Sequence, residues 1–167
     1  GYSGEFQMSE ATQLFGVVAE GKTDYYILKS LVAALSGQDP VVSMIQPESS
    51  RTFQELGEGW KGVRNWCVQC MEVYGGLNGR MRHVPLNSFA AIIIHVDADI
   101  ASDAEINCEK PCPPASDTVD ALRKIVLDWI GDRSIPERVV LCIPSKCIEV
   151  WVFVALYPSD RYAAPEL

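Results

Sequence analysis

No apolar run in this sequence approaches the roughly 18–20 residues that a membrane-spanning helix requires, and its first residues lack the basic and then apolar order of an export signal. A membrane role is therefore not expected, and the expected setting is cytoplasmic. Internal repeats and low-complexity tracts are also missing. Positive charge is scarce: 14 Lys and Arg face 22 Asp and Glu, for a net charge of -8. Such a chain is poorly suited to gripping a long duplex by phosphate neutralisation alone, so any hold on nucleic acid calls for a partner protein or an additional domain. Carboxylates gathered around a dication, by contrast, agree with an acidic balance.

The 167 residues suffice for one domain with a single core, and a hydrophobic share of 48% against 22% charged is that of a globular protein. We place this domain at 9–160. The small, polar opening at 1–8 reads as a tail, of the kind left by preparing a recombinant protein. The Pro- and Ala-containing end at 161–167 reads as a tail or linker, as in a domain taken from a longer polypeptide.

Short apolar runs at 14–20, 41–46, 89–96 and 139–143 predict buried strands, and apolar residues at offsets of three and four predict helices near 23–36, 52–74, 117–129 and 147–157. Gly57 and Gly59 are expected to fray the start of the second helix. Residues 75–87 read as a loop, and 101–116, with three prolines, as a long irregular crossing. The alternation of strand and helix predicts an α/β fold: an open, mainly parallel sheet of about four strands flanked by helices, Rossmann-like in plan. Sites in such sheets lie at the carboxyl ends of the strands.

Two acidic motifs fall at that position. The first predicted strand ends in Glu20-Gly21, and the third ends in Asp97-Ala98-Asp99, whose carboxylates at i and i+2 project to one side of an extended backbone. Hard oxygen ligands of this kind suit Mg2+ or Mn2+. The competing reading of each acid is a helix cap or turn residue. His95 shares a strand face with Asp97 and Asp99, and burial one pleat deeper is the favoured account of it.

An apolar strand ending in Glu-Gly before a helix, and a later one ending in Asp-x-Asp, resemble the Toprim domain of topoisomerases, primases and related nucleases, over residues 14–156. Within that family the chain is most similar to small prokaryotic nuclease-like proteins of phage defence, of the overcoming-lysogenization-defect type. Glu20-Gly21-Lys22-Thr23-Asp24 and the segment Ser145-Lys146-Cys147-Ile148-Glu149-Val150-Trp151 carry this closer likeness. The resemblance implies Glu20, Asp97, Asp99 and Glu149 as catalytic residues, and Glu20, Asp97, Asp99 and Asp103 as ligands of Mg2+ or Mn2+. It implies metal-dependent hydrolysis of DNA or RNA. The length leaves no room for the DNA-enclosing domains of a topoisomerase or the accessory modules of a primase.

Two alternatives stand beside the nuclease: a non-catalytic Toprim-like binding or assembly module within a larger complex, and an aspartyl phosphotransfer domain. Against the last, phosphoaspartyl enzymes of the Asp-x-Asp type carry the motif on their first strand. Cys67, Cys70, Cys108 and Cys112 have spacings that admit a structural Zn2+, but Cys67 and Cys70 fall on the apolar face of a predicted helix, where thiols act as small hydrophobes. Arg80, Arg82 and His83 offer a small phosphate-binding patch, with a solvated loop as the favoured reading. Trp60, Trp66, Trp129 and Trp151 all fall at helical core spacing and read as packing residues.

Overall fold

A computed structural model describes residues 12–37, 39–48, 56–108 and 115–157. Four strands, β1 (Leu14–Val18), β2 (Val41–Gln46), β3 (Ala91–His95) and β4 (Val139–Cys142), form one sheet in the order β2-β1-β3-β4. All three pairings are parallel. Between and after them lie α1 (Lys22–Ser36), α2 (Gly59–Tyr74), the single turn α3 (Leu77–Arg80), α4 (Ala115–Ile130) and α5 (Glu149–Leu156). This is the open parallel α/β arrangement expected from the sequence. Among the described residues no helix is long and apolar enough to cross a membrane.

The period of two along β3 sorts the core into two layers. Ile92, Ile94 and Val96 join Val139 and Leu141 of β4 against α2 (Val63, Trp66, Cys67, Cys70) and α4 (Leu122, Val126, Ile130). Ile93, one residue out of phase, joins Val17, Ala19 and Val42 against Leu28 of α1 and Ile148 at the start of α5. A central strand covered on both faces must be apolar at every position, which is why the 89–96 run is the most hydrophobic in the chain.

The second helix starts at Gly59 rather than near residue 52, whose neighbourhood at 51–55 lies outside the described residues. Gly57 and Gly59 both take positive φ, +81° and +66°, a region that ends any helical run arriving from the amino side. The stretch expected to be a loop at 75–87 holds α3 and the beginning of a 3-10 turn at Leu86–Ser88. Arg138 fastens it by donating to the carbonyls of Asn87, Phe89 and Met81. Another 3-10 turn, Ala98–Ser102, opens the crossing after β3. The proposed tails at 1–8 and 161–167 lie outside the described residues.

Trp60 and Trp66 are core residues and Trp129 stacks on Trp60, as expected, but Trp151 is 41% exposed. The reason is that α5 has apolar residues on every side after Glu149 and therefore no polar face to turn outward. Ile148, just before it, carries the burial instead.

Gly62 packs α2 against the turn before it. A Cβ there would sit 2.5 Å from the Gly57 carbonyl oxygen and 2.6 Å from Gln46 Nε2, and those two atoms are already hydrogen-bonded to each other at 2.6 Å. Alanine would add about 1 kcal/mol of helix propensity, against roughly 1–3 kcal/mol for overpacking a contact with little freedom to move. Gly62→Ala should therefore lower the urea midpoint at unchanged m-value; an equal or higher midpoint would mean that the turn at Gly57 yields.

Candidate functional site

The carboxyl ends of β1 and β3, adjacent in the sheet, bring the two acidic motifs together. Glu20 lies two residues beyond β1, and its Oε1 accepts the Asp97 backbone N–H at 2.8 Å, a bond between residues 77 positions apart. Its own carbonyl accepts the Gly59 N–H at 2.9 Å, so the start of α2 is fixed to the same residue. Asp97 Oδ1 accepts the Ile148 N–H at 3.0 Å and lies 3.2 Å from His95 Nε2. Two backbone bonds, Ala98 N–H to Pro144 carbonyl (3.1 Å) and Asp99 N–H to Lys146 carbonyl (3.3 Å), lay the segment after β4 alongside the Asp-x-Asp turn. The 145–151 segment thus reaches the crevice by continuing the parallel ladder past the ends of β3 and β4.

Glu149 stands exposed in the first turn of α5, close enough to raise the proton affinities of Asp24 and Asp99 by repulsion. Glu20, Asp97, Asp99 and Glu149 therefore share one neighbourhood. Asp103 does not join it. Its Oδ1 accepts the Glu105 N–H at 2.9 Å in a local turn, and its charge acts on Lys61 of α2.

Asp24, the last residue of the Glu20–Asp24 motif, belongs to the site as well. It is only 7% exposed, and its Oδ2 accepts the Gly21 N–H at 2.8 Å, closing the turn between Glu20 and α1. The spacing of the Glu-Gly-x-x-Asp opening was the available signal: a carboxylate at the third helical position reaches back to the N-cap amide. His95 is fully buried, as the strand pattern implied, and it also touches Asp97.

These acids crowd a poorly hydrated place. Burial pushes Glu20 from an ordinary 4.5 to about 7; the Asp97 N–H bond opposes that rise, and the Asp97 charge adds to it. Asp24 and Asp99 are raised too, chiefly by burial, with repulsion from Asp97 contributing to both. Perturbation of several neighbouring acids in one crevice is a mark of functional sites.

Among the described residues, no group of three or more His, Cys, Asp or Glu side chains is already arranged around a single point to hold an ion. The donor chemistry nonetheless fits a hard dication. Glu20 and Asp97 each spend one oxygen on backbone N–H groups, and among the described residues no donor meets Glu20 Oε2 or Asp97 Oδ2. Magnesium commonly takes one or two carboxylates and completes its shell with water and phosphate, so a closed three-residue cage is not required.

The thiols have another environment. Cys67 and Cys70 lie in the α2 core layer, with Cys108 packed against it, and Cys112 lies outside the described residues. Burial raises the Cys67 thiol strongly and takes Cys70 up to about 12, which disfavours the thiolate that zinc requires. Arg80 sits over the Tyr74 ring and donates to the Val84 carbonyl. No family model, curated protein or solved structure matches the chain.

Glu20 sets a pH dependence. Between 4.5 and about 7 the folded protein holds a proton on this residue that the unfolded chain has released, so the folded state is favoured at the acid end and stability falls as pH rises through that window. With partial exposure allowed for, the loss is on the order of 2 kcal/mol. Thermal unfolding in chelator should give a lower Tm at pH 8 than at pH 5, and Glu20→Gln should raise the pH 8 value and flatten the slope. A slope unchanged in the variant would assign the effect to other groups.

Proposed function

We propose that this chain is a Toprim-like domain that hydrolyses phosphodiester bonds in nucleic acid with Mg2+ or Mn2+, in a setting such as prokaryotic antiviral defence. The observation that carries the reading is the 2.8 Å bond from the Asp97 N–H to Glu20, which joins the Glu-Gly and Asp-x-Asp motifs at the carboxyl ends of neighbouring parallel strands. Asp97 and Asp99 would hold the ion, with Glu20 beside them and Glu149 at the rim; Asp103 supports its own turn. A dication bound there would polarise a phosphate oxygen and ease deprotonation of water.

The protein's own groups supply the rest. Crowded carboxylates repel one another and bind a cation to relieve that repulsion. Glu20, fixed to the Asp97 N–H at the edge of the same crevice, is placed to assist proton transfer there. Backbone amides fix Glu20 and Asp97 from behind, so neither must be ordered when substrate arrives.

Two features favour the binding or assembly module as the second reading. The net charge of -8 opposes unaided capture of a polyanion, and α5 exposes Trp151, Val152, Phe153 and Leu156. The module keeps the metal site and lacks cleavage.

Titration of Mg2+ and Mn2+ into wild type and an Asp97→Asn, Asp99→Asn double variant, followed by thermal unfolding and by cleavage of mixed DNA and RNA substrates, separates the readings. We expect the ions to raise the wild-type Tm and support cleavage, with both effects lost in the double variant. Stabilisation without cleavage would favour the module, and identical responses of the two proteins would remove the metal site altogether.

A further inference from the structure

Asp97 divides the work of its two carboxylate oxygens. Oδ1 is held from behind by the Ile148 N–H at 3.0 Å and faces His95 Nε2 at 3.2 Å, while no donor among the described residues meets Oδ2. His95 lies two residues before Asp97 on the strand, pairs in register with Cys142 of β4, and is completely enclosed. The Nε2 contact lies off the direction of a well-formed hydrogen bond, and Nδ1 has no hydrogen-bond partner among the described residues. Besides Asp97, the carboxylates of Glu20 and Asp24 are near enough to act on the imidazole electrostatically.

A buried imidazole with neither nitrogen well satisfied is a poor choice for packing alone, because each such group loses its hydration without recovering a full bond. Leucine would fill a similar volume without that loss. What leucine lacks is a ring nitrogen 3.2 Å from Asp97 Oδ1. Carboxylates that bind metals are commonly oriented by groups touching the oxygen turned away from the ion, and those groups matter nearly as much as the ligands themselves.

We propose that His95 is a positioning residue: it carries its proton on Nε2, directs it to Asp97 Oδ1, and so keeps Oδ2 turned toward the crevice for a divalent cation. This rests on the reading of the crevice as a metal site. The two contacts on Oδ1, one from the Ile148 backbone N–H and one from the His95 ring, then fix both the torsion of Asp97 and which oxygen serves the ion.

The test compares the wild-type chain with His95→Leu, His95→Gln and His95→Asn, using Mn2+ as the probe. Metal-free Tm, Mn2+ affinity by titration, and the protonated ring nitrogen by 15N NMR of the imidazole are measured. His95→Leu should match or exceed the wild-type metal-free Tm, yet bind Mn2+ about 10–100-fold more weakly. A merely structural histidine would lose Tm and affinity together or neither.

Glutamine can place its amide nitrogen near the position of Nε2 and should retain most of the affinity, whereas asparagine places it near Nδ1 and should not. This pair decides the matter if the leucine variant fails to fold. Equal Mn2+ affinity in wild type, Gln and Asn variants, or a proton found on Nδ1 alone, overturns the role of His95. Absence of Mn2+ binding by wild type overturns the metal reading, and the inference with it, whatever the ring tautomer.

Discussion

The carboxyl end of the sheet depends on the way Asp97 is held. Its backbone N–H binds Glu20 beyond β1, its Oδ1 binds the Ile148 N–H before α5, and the residues after it continue the ladder to 144–146. Three parts of the chain distant in sequence meet at one residue, and all of these bonds use backbone groups that would otherwise need water. Bonds donated by amide N–H groups to a charged carboxylate are stronger than neutral ones and offset part of the cost of burying the acid. The arrangement also orders the crevice without enlisting the outward oxygens of either acid.

Holding acids this way works against stability. Each carboxylate at the strand ends has given up hydration, and Asp97 repels Glu20, Asp24 and Asp99. Folding tolerates that repulsion because the two apolar layers beneath it, on opposite faces of β3, are extensive. Destabilised charge clusters on a stable scaffold are the usual compromise between function and folding.

The fold was legible in the sequence because its strands are short β-branched runs, and because the ends of those runs place Glu20 and Asp97 at the same edge of a parallel sheet. The pairing of these two acids followed from topology, without any side-chain detail. Asp24 was harder to place: an acid in a first helical turn is ordinarily solvated, and nothing in the spacing announces its 7% exposure. Asp103 follows a five-residue 3-10 turn, Ala98–Ser102, and sequence spacing does not tell such a turn from an extended segment. Trp151 eluded the helical pattern because periodicity identifies a buried face only when the opposite face is polar. On α5, where both faces are apolar, the pattern carries no direction.

That same uniform helix has a consequence for the behaviour of the chain in salt. A net charge of -8 keeps copies apart at low ionic strength, over a Debye length of about 30 Å at 0.01 M, whereas at 1 M the repulsion reaches only about 3 Å. Apolar attraction through Trp151, Phe153 and Leu156 is not screened in this way. Salt therefore shifts the colloidal balance toward contact between apolar surfaces, while it weakens any association built on phosphate charge. The two kinds of surface on this small domain answer ionic strength with opposite signs.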